Sequence, residues 1–129
     1  MRLHSAITIG IEVADASAVT TLNRVVGMVK GIYYLGGSGQ ISSNRVRGSV
    51  SYGMTLESTT GVDVSGNRVF EGLNEGIVLI RSSGNTIHNN DFSGNAGTDC
   101  VDDSPGPDST WTNDIGDDSS PSGLCTAAP

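Results

Sequence analysis

Asparagine returns along this chain at an almost constant interval. Asn-Arg-Val stands at Asn23, Asn44 and Asn67, followed by Asn-Asp-Phe from Asn90 and Asn-Asp-Ile from Asn113, so the spacings are 21, 23, 23 and 23 residues. A second series keeps step with it: "GIEV" from Gly10, "GIYYL" from Gly31, "GMTLE" from Gly53 and "GIVLI" from Gly76, with Asp99, Cys100 and Val101 next in phase. Within these runs the inward candidates alternate as Ile11 and Val13, Ile32 and Tyr34, Met54 and Leu56, Ile77 and Leu79. A period of two is the mark of a strand.

Each unit carries two further apolar positions. One lies three residues before the asparagine, at Ile41, Val64 and Ile87, with Trp111 equivalent after a one-residue deletion; the other lies two after it, at Val25, Val46, Val69, Phe92 and Ile115. Three short strands per unit are therefore predicted, separated by Gly, Ser and Asn turns. A unit this short cannot bury a face alone, so equivalent strands must stack into parallel sheets around a shared core, ~4.8 Å from turn to turn. Asn23, Asn44, Asn67, Asn90 and Asn113 are then expected to form a structural ladder at a tight bend, where asparagine tolerates a left-handed backbone and its amide bonds to those above and below. The length of 129 residues suits one domain, 1–129, with coils over about 5–117 and a carboxy-terminal loop cap over about 99–129.

The recurring order of glycine, apolar strand, small turn, apolar residue, asparagine and apolar residue resembles the right-handed parallel β-helix repeat proteins of the pectate-lyase-like group, over about residues 5–117. The tail "TWTNDIGDDSSPSGLC" resembles the closing segment of small bacterial members. The resemblance implies an all-β fold: a right-handed, single-stranded parallel β-helix of about five rungs with a loop cap. Val62, Val64, Asn67 and Val69 also imitate a leucine-rich repeat, but that fold needs a leucine-dominated strand, whereas this return carries Gly72, Gly76 and another strand. The scaffold does not settle function, since it carries lyases, hydrolases, epimerases, adhesins and structural parts.

Charge narrows the partners. Residues 1–81 hold all seven Lys and Arg against six acids, net +1, and residues 82–129 hold eight acids and no base, net −8. A nucleic acid partner is not expected of such a chain, because phosphate binding needs clustered positive charge. No stretch approaches the ~20 apolar residues of a membrane span. "MRLHSAITIG" is too short and polar for a signal peptide, and the chain opens inside a repeat, so an export signal is expected further upstream. Cys100 and Cys125 form an even pair flanking a loop-like segment; a disulfide in an oxidising, extracytoplasmic or secreted setting is the preferred reading, against two thiols in a reduced one.

Several side chains are candidates for binding. Arg24, Arg45 and Arg68 follow successive ladder asparagines and should form an outward column, either a track for a polyanion such as a uronate chain or a solvated face balanced by Glu57, Asp63 and Glu71. Tyr33 and Tyr52 offer flat faces for sugar stacking or are ordinary surface aromatics. Asp99, Asp102 and Asp103 belong to an acidic carboxy-terminal run that is either a weak calcium site or a solvated loop; no other cofactor is expected. Trp111 is expected to cap the last rung.

Catalytic constellations are harder to assemble. Lys30 is the only lysine, and its neighbours on successive rungs, Tyr52 and Glu75, do not complete the base and cation set of a uronate lyase. Asp102 and Asp103 alternate faces, His4 and His88 lack metal spacing, and no nucleophile elbow or phosphate loop is present. The leading expectation is a structural or binding module of an extracytoplasmic protein presenting a lateral face to a polysaccharide. The alternative is a fragment of a polysaccharide lyase, epimerase or hydrolase acting on acidic glycans. A β-helix also has open ends, and pairing of two copies through the amino-terminal end, or folding of "MRLHSAIT" over it, is expected.

Overall fold

The computed structural model describes residues 9–105 and 108–127. The segment "MRLHSAIT", on which the amino-terminal pairing expectation rests, lies outside them, and so does His4. The first coil holds β1 (Ile9–Ala14), β2 (Ser17–Thr21) and β3 (Arg24–Val26). The second repeats it as β4 (Lys30–Leu35), β5 (Ser38–Ser42) and β6 (Arg45–Arg47), and the third as β7 (Tyr52–Glu57), β8 (Val62–Ser65) and β9 (Arg68–Phe70). The fourth keeps β10 (Ile77–Ile80) and β11 (Thr86–His88), and the last has β12 (Cys100–Asp103) and β13 (Thr110–Thr112) before β14 (Ser119–Ser120) in the cap. No helix occurs among the described residues.

Every pairing between these strands is parallel and joins neighbouring coils. Three sheets result, in the orders β1-β4-β7-β10-β12-β14, β13-β11-β8-β5-β2 and β3-β6-β9. The chain is a β-solenoid of about five turns. Ile11, Ile32, Met54, Ile77 and Cys100 pile into one inward column, and Val13, Tyr34, Leu56, Leu79 and Asp102 into the next. Ile41, Val64, Ile87 and Trp111 face them from the second sheet, and Val25, Val46 and Val69 from the third. Most of these side chains are fully buried, each contributing roughly 1.5–3 kcal/mol of apolar transfer. Tyr34 is buried whole because its hydroxyl pairs with the Thr20 hydroxyl at 2.6 Å.

The glycine series has a steric cause. A Cβ at Gly53 would collide with Val69 of its own coil and with the Gly76 carbonyl of the next, and at Gly31 it would meet Val46 and the Gly53 carbonyl in the same way. Only a residue without a side chain lets the first and third sheets close over the core here.

The asparagine ladder runs through the solenoid. The Asn44 backbone N–H and side-chain Nδ2 both donate to Asn67 Oδ1 at 2.9 Å, and Asn67 does the same to Asn90 Oδ1 at 2.9 Å. Asn23 stands above them, donating twice to Asn44 Oδ1. The fifth place belongs to Asp114, not to Asn113: the Asn90 N–H and Nδ2 donate to Asp114 Oδ1 at 3.0 and 2.9 Å. The expected left-handed backbone is also one residue off. It falls on the position before each ladder residue, with φ of 58° at Leu22, 55° at Ser43, 64° at Gly66, 59° at Asn89 and 56° at Asn113. Asn113 is thus a corner residue equivalent to Asn89, and the last coil is one residue longer than its predecessor. No deletion is needed at Trp111, which pairs in register with Ile87.

The same shift turns Ile115 outward. It bridges Asp91, so Gly116 takes the inward place of Phe92, and a Cβ there would meet Cys125 Sγ. The Cys100–Cys125 disulfide fills that space. Around it β14 pairs with β12, Thr126 bridges Ile115, and Leu124 packs against the core, closing the carboxy-terminal end. Trp111, at the end of the second sheet, packs partly buried against the core, edge-on to Phe92 with centroids 6.5 Å apart.

Two outcomes are expected on unfolding in urea. Asn67→Ala strands two buried N–H donors of Asn44 and the Ile41 carbonyl, and should cost about 3 kcal/mol or more, at about 1–3 kcal/mol per stranded group; Asn23→Ala, at the half-exposed end, should cost about 1 kcal/mol. Equal losses at both sites would show that the column contributes little. Opening the disulfide, which spans 25 residues, should lower stability by roughly 3 kcal/mol on loop-closure entropy.

Candidate functional site

The arginine column forms as the spacing implies. Arg24, Arg45 and Arg68 pair in register on β3, β6 and β9, all three exposed, and Asp91 continues the line below Arg68. Alternation along such short strands puts the flanking valines inside and the arginines out. Like charges one coil apart repel, so their surroundings matter. The Arg45 guanidinium lies 4.7 Å from the centroid of the Phe70 ring and that of Arg68 lies 4.3 Å from the same ring. Phe70 is 8% exposed, covered by the cations that stack on it. Such stacking favours arginine and restricts its motion.

The carboxylates that should have balanced this column are engaged elsewhere. Glu71 pairs with Arg47 at 2.7 Å, Glu57 with Arg81 at 2.7 Å, and Asp63 with His88 Nε2 at 2.8 Å. Asp91, at the foot of the column, accepts from the Ser93 N–H and hydroxyl instead. Among the described residues, Arg24, Arg45 and Arg68 form no ion pair. Phe70 was missed in sequence. Its signal was its phase: it falls in register with Arg47 and Val26, one strand position beyond the inward valine.

Tyr33 and Tyr52 stand on the adjacent strands β4 and β7 of the first sheet, Tyr33 in register with Thr55 and Tyr52 with Lys30, and both are partly exposed. The Tyr33 hydroxyl donates to Glu57 Oε1 at 2.7 Å and the Lys30 ammonium sits 4.4 Å from its ring centroid. One face of the ring and its polar tip are therefore occupied. Burial and the Glu57 carboxylate push the Tyr33 phenol up to about 12, which keeps it a neutral donor.

The three acids do not converge. Asp99 is buried at a corner, where Oδ1 accepts from Asn95 and Oδ2 from the Asp117 N–H at 2.7 Å; burial holds its carboxyl above the ordinary carboxylate range despite these bonds. Asp102 occupies the inward column below Leu79 and accepts from the Ser104 N–H, and Asp103 is exposed on the other face. Among the described residues no group of three His, Cys, Asp or Glu side chains is arranged to hold a metal ion. Sequence reasoning also missed two side ladders that run from coil to coil. In one, Thr59 N–H donates to Ser82 Oγ and Ser82 N–H to Ser104 Oγ; in the other, Val62 N–H donates to Asn85 Oδ1 and Asn85 N–H to Ser109 Oγ.

The structure is a parallel solenoid with asparagine at one corner of four coils and Asp114 at that corner of the last. The family model described as periplasmic copper-binding protein (NosD) matches residues 4–118. The chain belongs to the NosD family. This is a parallel β-helix family, so the fold implied by the repeat and the family agree. The periplasmic character of the NosD family and the Cys100–Cys125 disulfide place the domain outside the cytoplasm. No match was found among curated proteins or solved structures.

Titration gives a check on the Tyr33 environment. Glu57→Gln removes the hydrogen-bonded carboxylate and should bring the Tyr33 phenol down from about 12 toward its ordinary value, read by ultraviolet absorbance against a Tyr33→Phe blank. An unchanged midpoint would mean that burial alone sets it.

Proposed function

We propose that this NosD-family domain is an extracytoplasmic binding module that lays an anionic polysaccharide, of the uronate class, along its long axis over Arg24, Arg45 and Arg68. The observation that carries the reading is a column of three exposed guanidinium groups with no carboxylate partner among the described residues, two of them seated on Phe70. Stacking on one ring leaves the N–H edges free to fork onto carboxylates, which arginine does bidentately. Coils repeat about every 4.8 Å, and a polyuronate carries one carboxylate per sugar at a step of the same order. A polymer along the axis can therefore meet one arginine per coil. Tyr33 and Tyr52, on the neighbouring sheet, supply a second surface for sugar rings, with one face of Tyr33 already given to Lys30.

The family description names copper, and the described residues do not fit it. Copper seeks imidazole, thiolate or thioether donors. Cys100 and Cys125 are joined to each other, Met54 is sealed in the core, Met28 packs half-buried against it, and His88, the only histidine among the described residues, is held by Asp63 and Asn89. No step of the proposed function runs through a metal.

Binding to polygalacturonate and alginate at low salt tests the reading, with neutral dextran as reference. Arg45→Gln and Arg68→Gln should each weaken binding several-fold, and the pair by more than tenfold, with affinity falling as salt rises. Equal binding by the double variant, or equal binding of dextran, would overturn the assignment. Release of ultraviolet-absorbing unsaturated uronides would replace the module with an enzyme.

A further inference from the structure

The last rung of the ladder contains a carboxyl group where every other position holds an amide. In Asn44, Asn67 and Asn90, Oδ1 accepts from the coil above while Nδ2 also donates, at 2.9 Å, to the carbonyl three residues before the ladder residue of that coil: Thr20, Ile41 and Val64 respectively. Asp114 is 2% exposed and keeps the first half of this pattern, with Oδ1 accepting from Asn90 N–H and Nδ2. Its Oδ2 therefore occupies the place of an amide nitrogen, and by the same phase the carbonyl it faces is that of Ile87. It is buried and has no hydrogen-bond partner. A bare carboxylate oxygen set against a carbonyl oxygen is repulsive in a dry corner, whereas a carboxylic acid O–H in that place is a donor.

We propose that Asp114 closes the ladder as a neutral acid, its Oδ2 hydroxyl donating to the Ile87 carbonyl, and that loss of this proton as pH rises loosens the last coil from its cap. The cap is in direct contact: Thr126 N–H donates to the Asp114 backbone carbonyl and Gly116 N–H to that of Thr126. Burial pushes the Asp114 carboxyl above its ordinary range, outweighing the hydrogen bonds from Asn90 and Thr112 and the pull of His88. The charged groups near it are few. His88 on β11 faces it from the coil above with its partner Asp63 beyond, Asp91 points outward to Ser93, and Thr112, Ile115 and Thr126 bring no charge.

A raised folded-state pKa means that folding takes up a proton. The contribution is fully present below the ordinary value of 3.8 and is lost as pH rises through the folded value, the unfolding constant climbing about tenfold per pH unit in between. Asp114→Asn supplies a permanent amide donor at the same place. The variant should lack that climb, match the parent at low pH and exceed it in stability above the window, with Thr126 and Gly116 amides better protected from hydrogen exchange. A variant less stable than the parent at neutral pH would overturn the proposal. Carboxyl carbon NMR of the unmodified protein decides independently of whether the variant folds: an Asp114 midpoint above 3.8 supports the neutral acid, and one at or below it refutes it.

Discussion

Each coil of this protein completes its hydrogen bonds only through the next one. The strands of one coil lie in different sheets, so every parallel ladder runs between coils. At the tightest corner the turn leaves backbone N–H groups with no strand partner, and a buried N–H without an acceptor costs a large part of a domain's net stability. An asparagine one coil below supplies that acceptor and at the same time donates upward to a carbonyl. No other side chain offers both halves at that length, so the residue must recur at the period of the coil.

The same constraint organises the surface. Because equivalent positions are stacked, any outward residue repeated in phase becomes a line along the axis, and three arginines become a charged rail. Isolated surface charges contribute little, but a line of like charges repels itself unless something binds it. In this chain the nearby carboxylates are drawn into pairs with Arg47, Arg81 and His88, while Phe70 holds two of the guanidinium groups from below. The proposed polyanion binding rests on this unneutralised line.

The carboxy-terminal coil breaks the pattern in several places at once. Asp114 replaces the asparagine, Gly116 the inward apolar residue, and Asp102 stands below Leu79 in a column that is otherwise apolar. A stacking fold needs an end that does not invite another coil, and polar groups in the core positions, a cap strand and a disulfide provide one. Of the five buried side-chain atoms without a hydrogen-bond partner among the described residues, three lie in this last coil, on Asp102, Trp111 and Asp114, and two further up, on Ser49 and Thr55.

The one-dimensional period was enough to determine the coil, its strands, the inward columns and the arginine rail, because each depends only on which residues are in phase, and the even cysteine count pointed to the disulfide. Phase alone misled where the repeat changes length. One added residue before the last corner moved the ladder from Asn113 to Asp114, turned Ile115 outward and made the presumed deletion at Trp111 unnecessary. The destinations of Glu57, Asp63 and Glu71, the stacking on Phe70 and the separation of Asp99 from Asp102 were likewise decided only by the tertiary structure. The reason is that long side chains reach across coils and around corners, so their partners follow from three-dimensional distance, which a sequence period does not contain.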